Sequence, residues 1–345
     1  MGTRLLIGIV VFVAAISRLS SASAQEQNQE LIQLRQQLAV HYLEPAPHMA
    51  LAKFLWAHGD RLQAFYLLEN ARRNRFPQPE FDRAFAQTFG TPSTRDGAGL
   101  PVFNGAIKLQ EMGNIKEAEQ EFVRAAELSL RSVHIQSWVA RFLYKVSHND
   151  ERALHYYLNA YFLDPHAYES EFVESRIRTI NYEAADVRYR WLAQTGVSVT
   201  TILQDTNPTV VVLALQDVAN HWSATHLGAV LKCMEHDDEV VRWLATTAIS
   251  KNVDRSFDPT LRMLLRDDDL RKRGLAAYIA ARLWKEESFP FLRQMLGEPA
   301  QLLRFDALSA LAMEGGAEGR RIVREHRRHE SHPELLRLIE KTSPR

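Results

Sequence analysis

The sequence predicts an all-α fold, an α-solenoid of stacked helical pairs, and three observations carry that prediction. Glycine and proline are few, 15 and 13 in 345 residues, while Ala, Leu, Arg and Glu are plentiful. Such a composition favours helix nearly throughout. The carboxy-terminal half repeats its apolar positions every 31 residues, and the amino-terminal half repeats a different pattern of small residues and turns. Two helices of a dozen residues cannot bury both faces alone, so such units must stack.

Residues 1–24 read as a secretory signal peptide. Arg4 precedes an apolar run from Leu5 to Ile16, and Ala22-Ser23-Ala24 has the form of a cleavage site. The run is short for a membrane span. No cysteine follows it for lipid attachment, and Leu6 stands where a myristoylation motif needs Ser or Thr. The expectation is an exported chain, periplasmic or secreted after cleavage near Ala24, with no stable membrane span. About 320 residues remain, room for two domains.

Residues 25–43 read as an opening helix. Three units then share one pattern. Gly59-Asp60 precedes Ala64, Leu68 and Ala71; Gly113-Asn114 precedes Ala118, Phe122 and Ala125; His148-Asn149 precedes Ala153, Tyr157 and Ala160. Glycine serves the turn because it reaches positive φ at little cost. Upstream, Ala52 and Leu55, Ala106 and Leu109, and Arg141 and Tyr144 occupy matching places. An insert from Gln78 to Gly99 holds a short helix, Phe81–Phe89, and a loop, GTPSTRDGAG, expected to be mobile. The spacing resembles tetratricopeptide repeats, with Arg141 and His148 as departures in the third unit. These would span residues 25–167, and residues 168–196 form a helical bridge.

In residues 197–345, Ala214, Ala245, Ala276 and Ala307 stand 31 apart. Val218, Ile249, Ala280 and Leu311 follow at the same spacing, and Leu203, Met234, Leu265 and Leu296 precede them. Ile202, Cys233, Leu264 and Met295, and Val199, Val230, Leu261 and Leu292, complete five columns. Asn207, Asp238 and Asp269 fall where each second helix begins, as capping residues do; Pro299-Ala300 opens the fourth. Asp238, Val241-Arg242, Ala245 and Ala248-Ile249 resemble the signature of short HEAT repeats, and Arg273 and Arg304 repeat the arginine. Pro333-Glu334-Leu335-Leu336 lies off the period and reads as a cap. Cys233, in an apolar column, reads as a small buried hydrophobe, and its being the only cysteine excludes an internal disulfide.

Catalytic motifs are missing: no GxSxG, phosphate loop, HExxH or CxxC occurs. No catalytic residue, cofactor or metal is therefore assigned. Glu235–Glu239 (EHDDE) reads as a solvated turn with a cap. Glu325–His332 (EHRRHESH) offers a single His-Glu pair, too few for the iron sites of HEAT-repeat hydroxylases. Arg320, Arg321, Arg324, Arg327 and Arg328 read as an exposed helix face. Lys and Arg total 42, as do Asp and Glu, so no net basic field attracts nucleic acid.

Surface is what remains. Tetratricopeptide arrays bind peptides along the first helix of each unit, and the resemblance assigns Lys53 and Trp56, then Phe103 and Gln110, then Trp138, Phe142 and Lys145 to that groove, beside Met49 and Ile107. Large aromatics suit such contacts. Trp243 and Phe305 read as packing between units. The expected function is a non-enzymatic scaffold or adaptor for a protein or peptide partner in a bacterial envelope. The alternative is an enzyme or cofactor-handling protein, lyase-like, using the second array; fold similarity alone carries little weight for either.

Overall fold

The computed structural model describes residues 25–74, 76–91, 97–165 and 170–342. Residues 1–24, read above as a signal peptide, and the centre of the GTPSTRDGAG loop lie outside the described residues. Among the described residues about every element is helical and no strand occurs.

Residues 25–40 form α1. α2 (Pro45–Ala57) and α3 (Arg61–Asn74) make the first pair, and α4 (Gln78–Phe89) packs on α2. α5 (Gly99–Glu111) pairs with α6 (Ile115–Leu128), and α7 (Val133–Lys145) with α8 (Asp150–Leu163). Gly59 and Gly113 take φ of 94° and 81° at the turns, and His148 takes 52° at the third. After each turn the small or apolar residues Ala64, Leu68 and Ala71, Ala118, Phe122 and Ala125, and Ala153, Tyr157 and Ala160 are buried. Small residues let the paired helices approach; Gly99 lies so close to α6 that a Cβ would stand 2.3 Å from the Ala125 carbonyl oxygen.

The bridge is one helix, α9 (Ser170–Gln194), lying between α8 and α11. Four pairs follow: α10 (Val199–Ile202) with α11 (Pro208–Asn220), α12 (Leu227–Cys233) with α13 (Glu239–Asn252), α14 (Asp258–Leu264) with α15 (Leu270–Trp284), and α16 (Phe289–Leu296) with α17 (Gln301–Glu314). Pro208, Glu239, Leu270 and Gln301 start the second helices 31 residues apart. Asn207, Asp238 and Asp269 each accept a backbone N–H of the first turn, and Ala300 provides no such bond. All four alanines of the Ala214 column are fully buried; Val199, at the free edge of the shortest helix, is only half-buried. At two of its three places the repeated arginine fastens its own turn, whereas Arg273 pairs with Glu298. Arg242 Nη1 donates to the carbonyls of His236 and Asp237, and Arg304 Nη1 to those of Glu298 and Pro299. α18 (Gly316–His326) and α19 (Pro333–Thr342) close the stack.

The second helices pack on one another in a row running α8, α9, α11, α13, α15, α17. The amino-terminal segment lies along that row. Trp56 stacks on Phe162 of α8, and Tyr66 meets Thr209 of α11. Tyr42 packs against Phe305 of α17, and the Leu43 N–H donates to Gln301 Oε1 at 2.8 Å. The contacts of Tyr66, Tyr42 and Leu43 cross the division between arrays drawn from the repeats.

Candidate docking site

The seven residues assigned to the groove do not form one surface. Phe103 and Phe142 are 3% exposed and pack on Phe122 with centroids 5.5 and 4.7 Å apart. They are core, which corrects the sequence expectation: first-helix aromatics here fill the space between pairs. Met49 is likewise fully buried. Trp56 is half-buried between the Phe162 ring at 4.1 Å and the Arg61 guanidinium at 4.3 Å, so the chain itself occupies that face. Lys53 points outward beside it. Trp138 on α7 is half-buried, edge-on to Phe103 at 5.9 Å, with the Arg141 guanidinium 5.9 Å from its ring. Gln110 on the neighbouring α5 is partly exposed, and Lys145, further along α7, is exposed. An indole beside a guanidinium can take both apolar and acidic groups of a partner.

The second surface is where the amino-terminal segment crosses the array. Arg35 donates from Nε and Nη2 to both Asp237 oxygens, at 2.7 and 2.5 Å. Arg271 adds a bond to Asp237 at 3.1 Å and holds Asp269 through Nη2 at 3.0 Å. Burial alone would push the Asp237 carboxyl up; Arg35 and Arg271 hold it below the usual range. His236 beside it is pushed down to about 4, chiefly by burial. The expected solvated turn is thus corrected: Asp237 and Asp238 are buried, because one is an anchor for Arg35 and the other a cap.

A third polar cluster joins α3 to α9. Tyr161 donates to Glu69 at 2.8 Å, Arg72 bridges Glu69 and Glu174 at 2.7 and 2.8 Å, and Arg73 and Arg178 add further pairs. Glu69 is held below its ordinary value despite burial, by Arg72 foremost, whereas burial and the neighbouring Glu69 push Glu174 up. Two buried carboxylates matched by three partly exposed guanidiniums clamp α3 to α9.

The remaining chemical candidates have structural surroundings. Cys233 is buried, its thiol pushed up to about 12 by burial, with Sγ 3.6 Å from the Leu203 carbonyl oxygen. A thiol so protonated is a poor nucleophile. His326, His329 and Glu330 line a groove of about 660 Å³, where Glu330 accepts from Arg304 at 3.0 Å. Among the described residues no group of three or more His, Cys, Asp or Glu is placed to hold a metal ion. The arginines from Arg320 to Arg328 are exposed; Arg321 pairs with Glu318 and Glu325, and Arg327 with Glu340.

Sequence reasoning missed Arg35, Tyr42 and Gln301, whose partners lie some 200 residues away; local periodicity carries no signal for them. It also missed a gap in a visible column: Trp243 and Phe305 are separated by Gly274 at the same register. No protein-family model, curated protein or solved structure matches the chain.

Proposed function

We propose that the chain is a non-enzymatic scaffold or adaptor that binds a peptide or helix of another protein on α5 and α7. We read the first pairs as tetratricopeptide-like and the later ones as HEAT-like, the protein being exported to a bacterial envelope with its signal removed near Ala24. The positive-φ turns at Gly59 and Gly113 and the buried small residues after them support the first assignment. The 31-residue helix spacing and the turn-fastening Arg242 and Arg304 support the second.

The observation that carries the docking proposal is the setting of Trp138. It keeps part of its indole in solvent while its ring is held by Phe103 and His134, with the Arg141 guanidinium beside it; Gln110 on α5, partly exposed, and Lys145 on α7, exposed, are polar residues of the same two helices. A pre-positioned, half-buried tryptophan loses little entropy on binding and offers a large contact area. The test is cross-linked capture from the envelope fraction by the wild-type chain and by Trp138→Ala. Loss of the captured protein with an unchanged melting temperature is expected; equal capture by both chains would remove the proposal.

A further inference from the structure

The opening segment meets the second array as a docked helix would. Arg35, Leu38 and Ala39 of α1, with Tyr42 just past its end, face the row; the last three are buried and Arg35 is bonded to Asp237. Their positions are i, i+3, i+4 and i+7, the anchor spacing of a helix laid in another protein's groove. The polar and aromatic anchors have separate seats. Arg35 reaches Asp237, at the turn before α13, with bonds of 2.7 and 2.5 Å. The Tyr42 ring packs on Phe305 of α17 with centroids 5.6 Å apart, and its hydroxyl donates to Glu239 of α13 at 3.4 Å. Past the helix end, Gln301 reads the main chain. Its Oε1 accepts the Leu43 N–H at 2.8 Å and its Nε2 donates to Glu44 at 3.2 Å. Gln301 is buried, so both ends of that amide need a partner.

The attachment is confined to that short stretch. No residue from 25 to 34 is buried: Leu31 and Leu34 are half-buried and Ile32 is 45% exposed. There the helix stands off the array, leaving a crevice of about 370 Å³ between Asn28, Ile32 and Gln36 on its side and Glu235, Asp268 and Leu270 on the other. A helix end with so little buried apolar surface opens at low cost. The Arg35 side chain is 26% exposed, within reach of a competitor. Arg271 bonds Asp237 at 3.1 Å from the other side, so release of Arg35 does not strand a buried carboxylate without a counter-charge. Leu38, Ala39, Tyr42 and Leu43 are buried, but a second helix with the same anchors restores that burial. Exchange then costs only the difference between the two occupants.

We infer that the face formed by Asp237, Gln301 and Phe305 is a helix-recognition groove held shut by the chain's own residues 35–44, which act as an autoinhibitory strap. The occupant that replaces them is a helix of another protein with the same chemistry. It carries an arginine, small or apolar residues three and four positions on, and an aromatic seven on, close enough to the helix end to leave a main-chain N–H for Gln301. The strap competes at the high effective concentration of a tethered segment, so a partner binds in proportion to the fraction of open groove. This groove is separate from the face on α5 and α7 and stands or falls without it.

The test is fluorescence anisotropy with a labelled synthetic peptide of residues 25–44. It is titrated with the full-length wild-type protein and with the full-length Arg35→Ala/Tyr42→Ala protein, whose strap is weakened and whose groove is intact; a thermal melt is recorded for each. Saturable binding about tenfold tighter to the double variant than to the wild type, or better, is expected. It should be lost when the peptide itself carries Arg35→Ala and Tyr42→Ala. Hydrogen exchange of the wild-type protein decides the matter even if the double variant unfolds: amides of α1 should exchange well ahead of those of α13. Light scattering should find the wild-type protein monomeric. A dimer that the peptide dissociates would give the groove to a second copy's opening segment and overturn the strap in cis. Equal binding by both proteins, no saturable binding by a folded double variant, binding kept by the substituted peptide, or α1 amides as protected as those of α13 also overturns the inference.

Discussion

Arg35 and Asp237, 202 residues apart in the chain, form a two-point ion pair with bonds of 2.7 and 2.5 Å. Arg271 completes it from the other side. The pair fixes where the opening helix lies on the second array, and Tyr42 and Leu43 follow it into place.

Asp237→Ala leaves Arg35 and Arg271 facing each other without their shared counter-charge. Breaking a buried pair by removing one partner is costly because the other charge stays buried. The Asp237 side chain is 5% exposed and that of Arg35 26%. Urea unfolding should show a loss of about 3 kcal/mol for Asp237→Ala and about 1 kcal/mol for Arg35→Ala. Equal losses would mean that Arg271 does not share the carboxylate.

Acid should loosen the same anchor. His236 titrates near 4 in the folded chain against an ordinary 6.5. The unfolded chain therefore binds more protons between those values, and stability falls as pH drops from 6.5 to about 4. The loss from this group is about 3 kcal/mol. Asp237, held below its usual range, adds a loss in the same direction at lower pH. In stability measurements across that window, His236→Gln should flatten the slope.

His148 sits at φ 52° on an exposed turn where the two earlier units use glycine. A Cβ in that region costs about 1 kcal/mol. His148→Gly should raise stability by about 0.5–1 kcal/mol. The gain is below the full strain because glycine also loosens the unfolded chain.

Leu265 is 8% exposed at the end of α14, in the column with Leu203, Met234 and Leu296. Leu265→Ala should cost about 3 kcal/mol by calorimetry or urea unfolding, as buried leucine truncations do. A negligible change would break the alignment of the units.

The helices of the second array were legible because one face of each must be apolar at a fixed spacing, so Ala245 and Ala276 point inward wherever the stack bends. The caps were legible for the same reason, Asp238 and Asp269 having a local task. Phe103 and Trp138 show the limit. Periodicity places both on the first-helix face, yet only the packing of α5 on α7 makes one core and leaves the other in part exposed. Trp56 shows it again, since nothing near it in sequence announces Phe162 as its cover. Long-range pairs such as Arg35 with Asp237 depend on where a whole segment is laid, which short spacings do not encode.

The docking proposal is tested most directly by placing a photo-reactive amino acid in turn at Gln110, Lys145, Lys53 and Arg324 of the full-length protein and irradiating the envelope fraction. Adducts to one protein from positions 110 and 145, weak or missing at 53 and 324, are predicted. Adducts confined to position 324, or the same yield at all four positions, would contradict a docking face on α5 and α7.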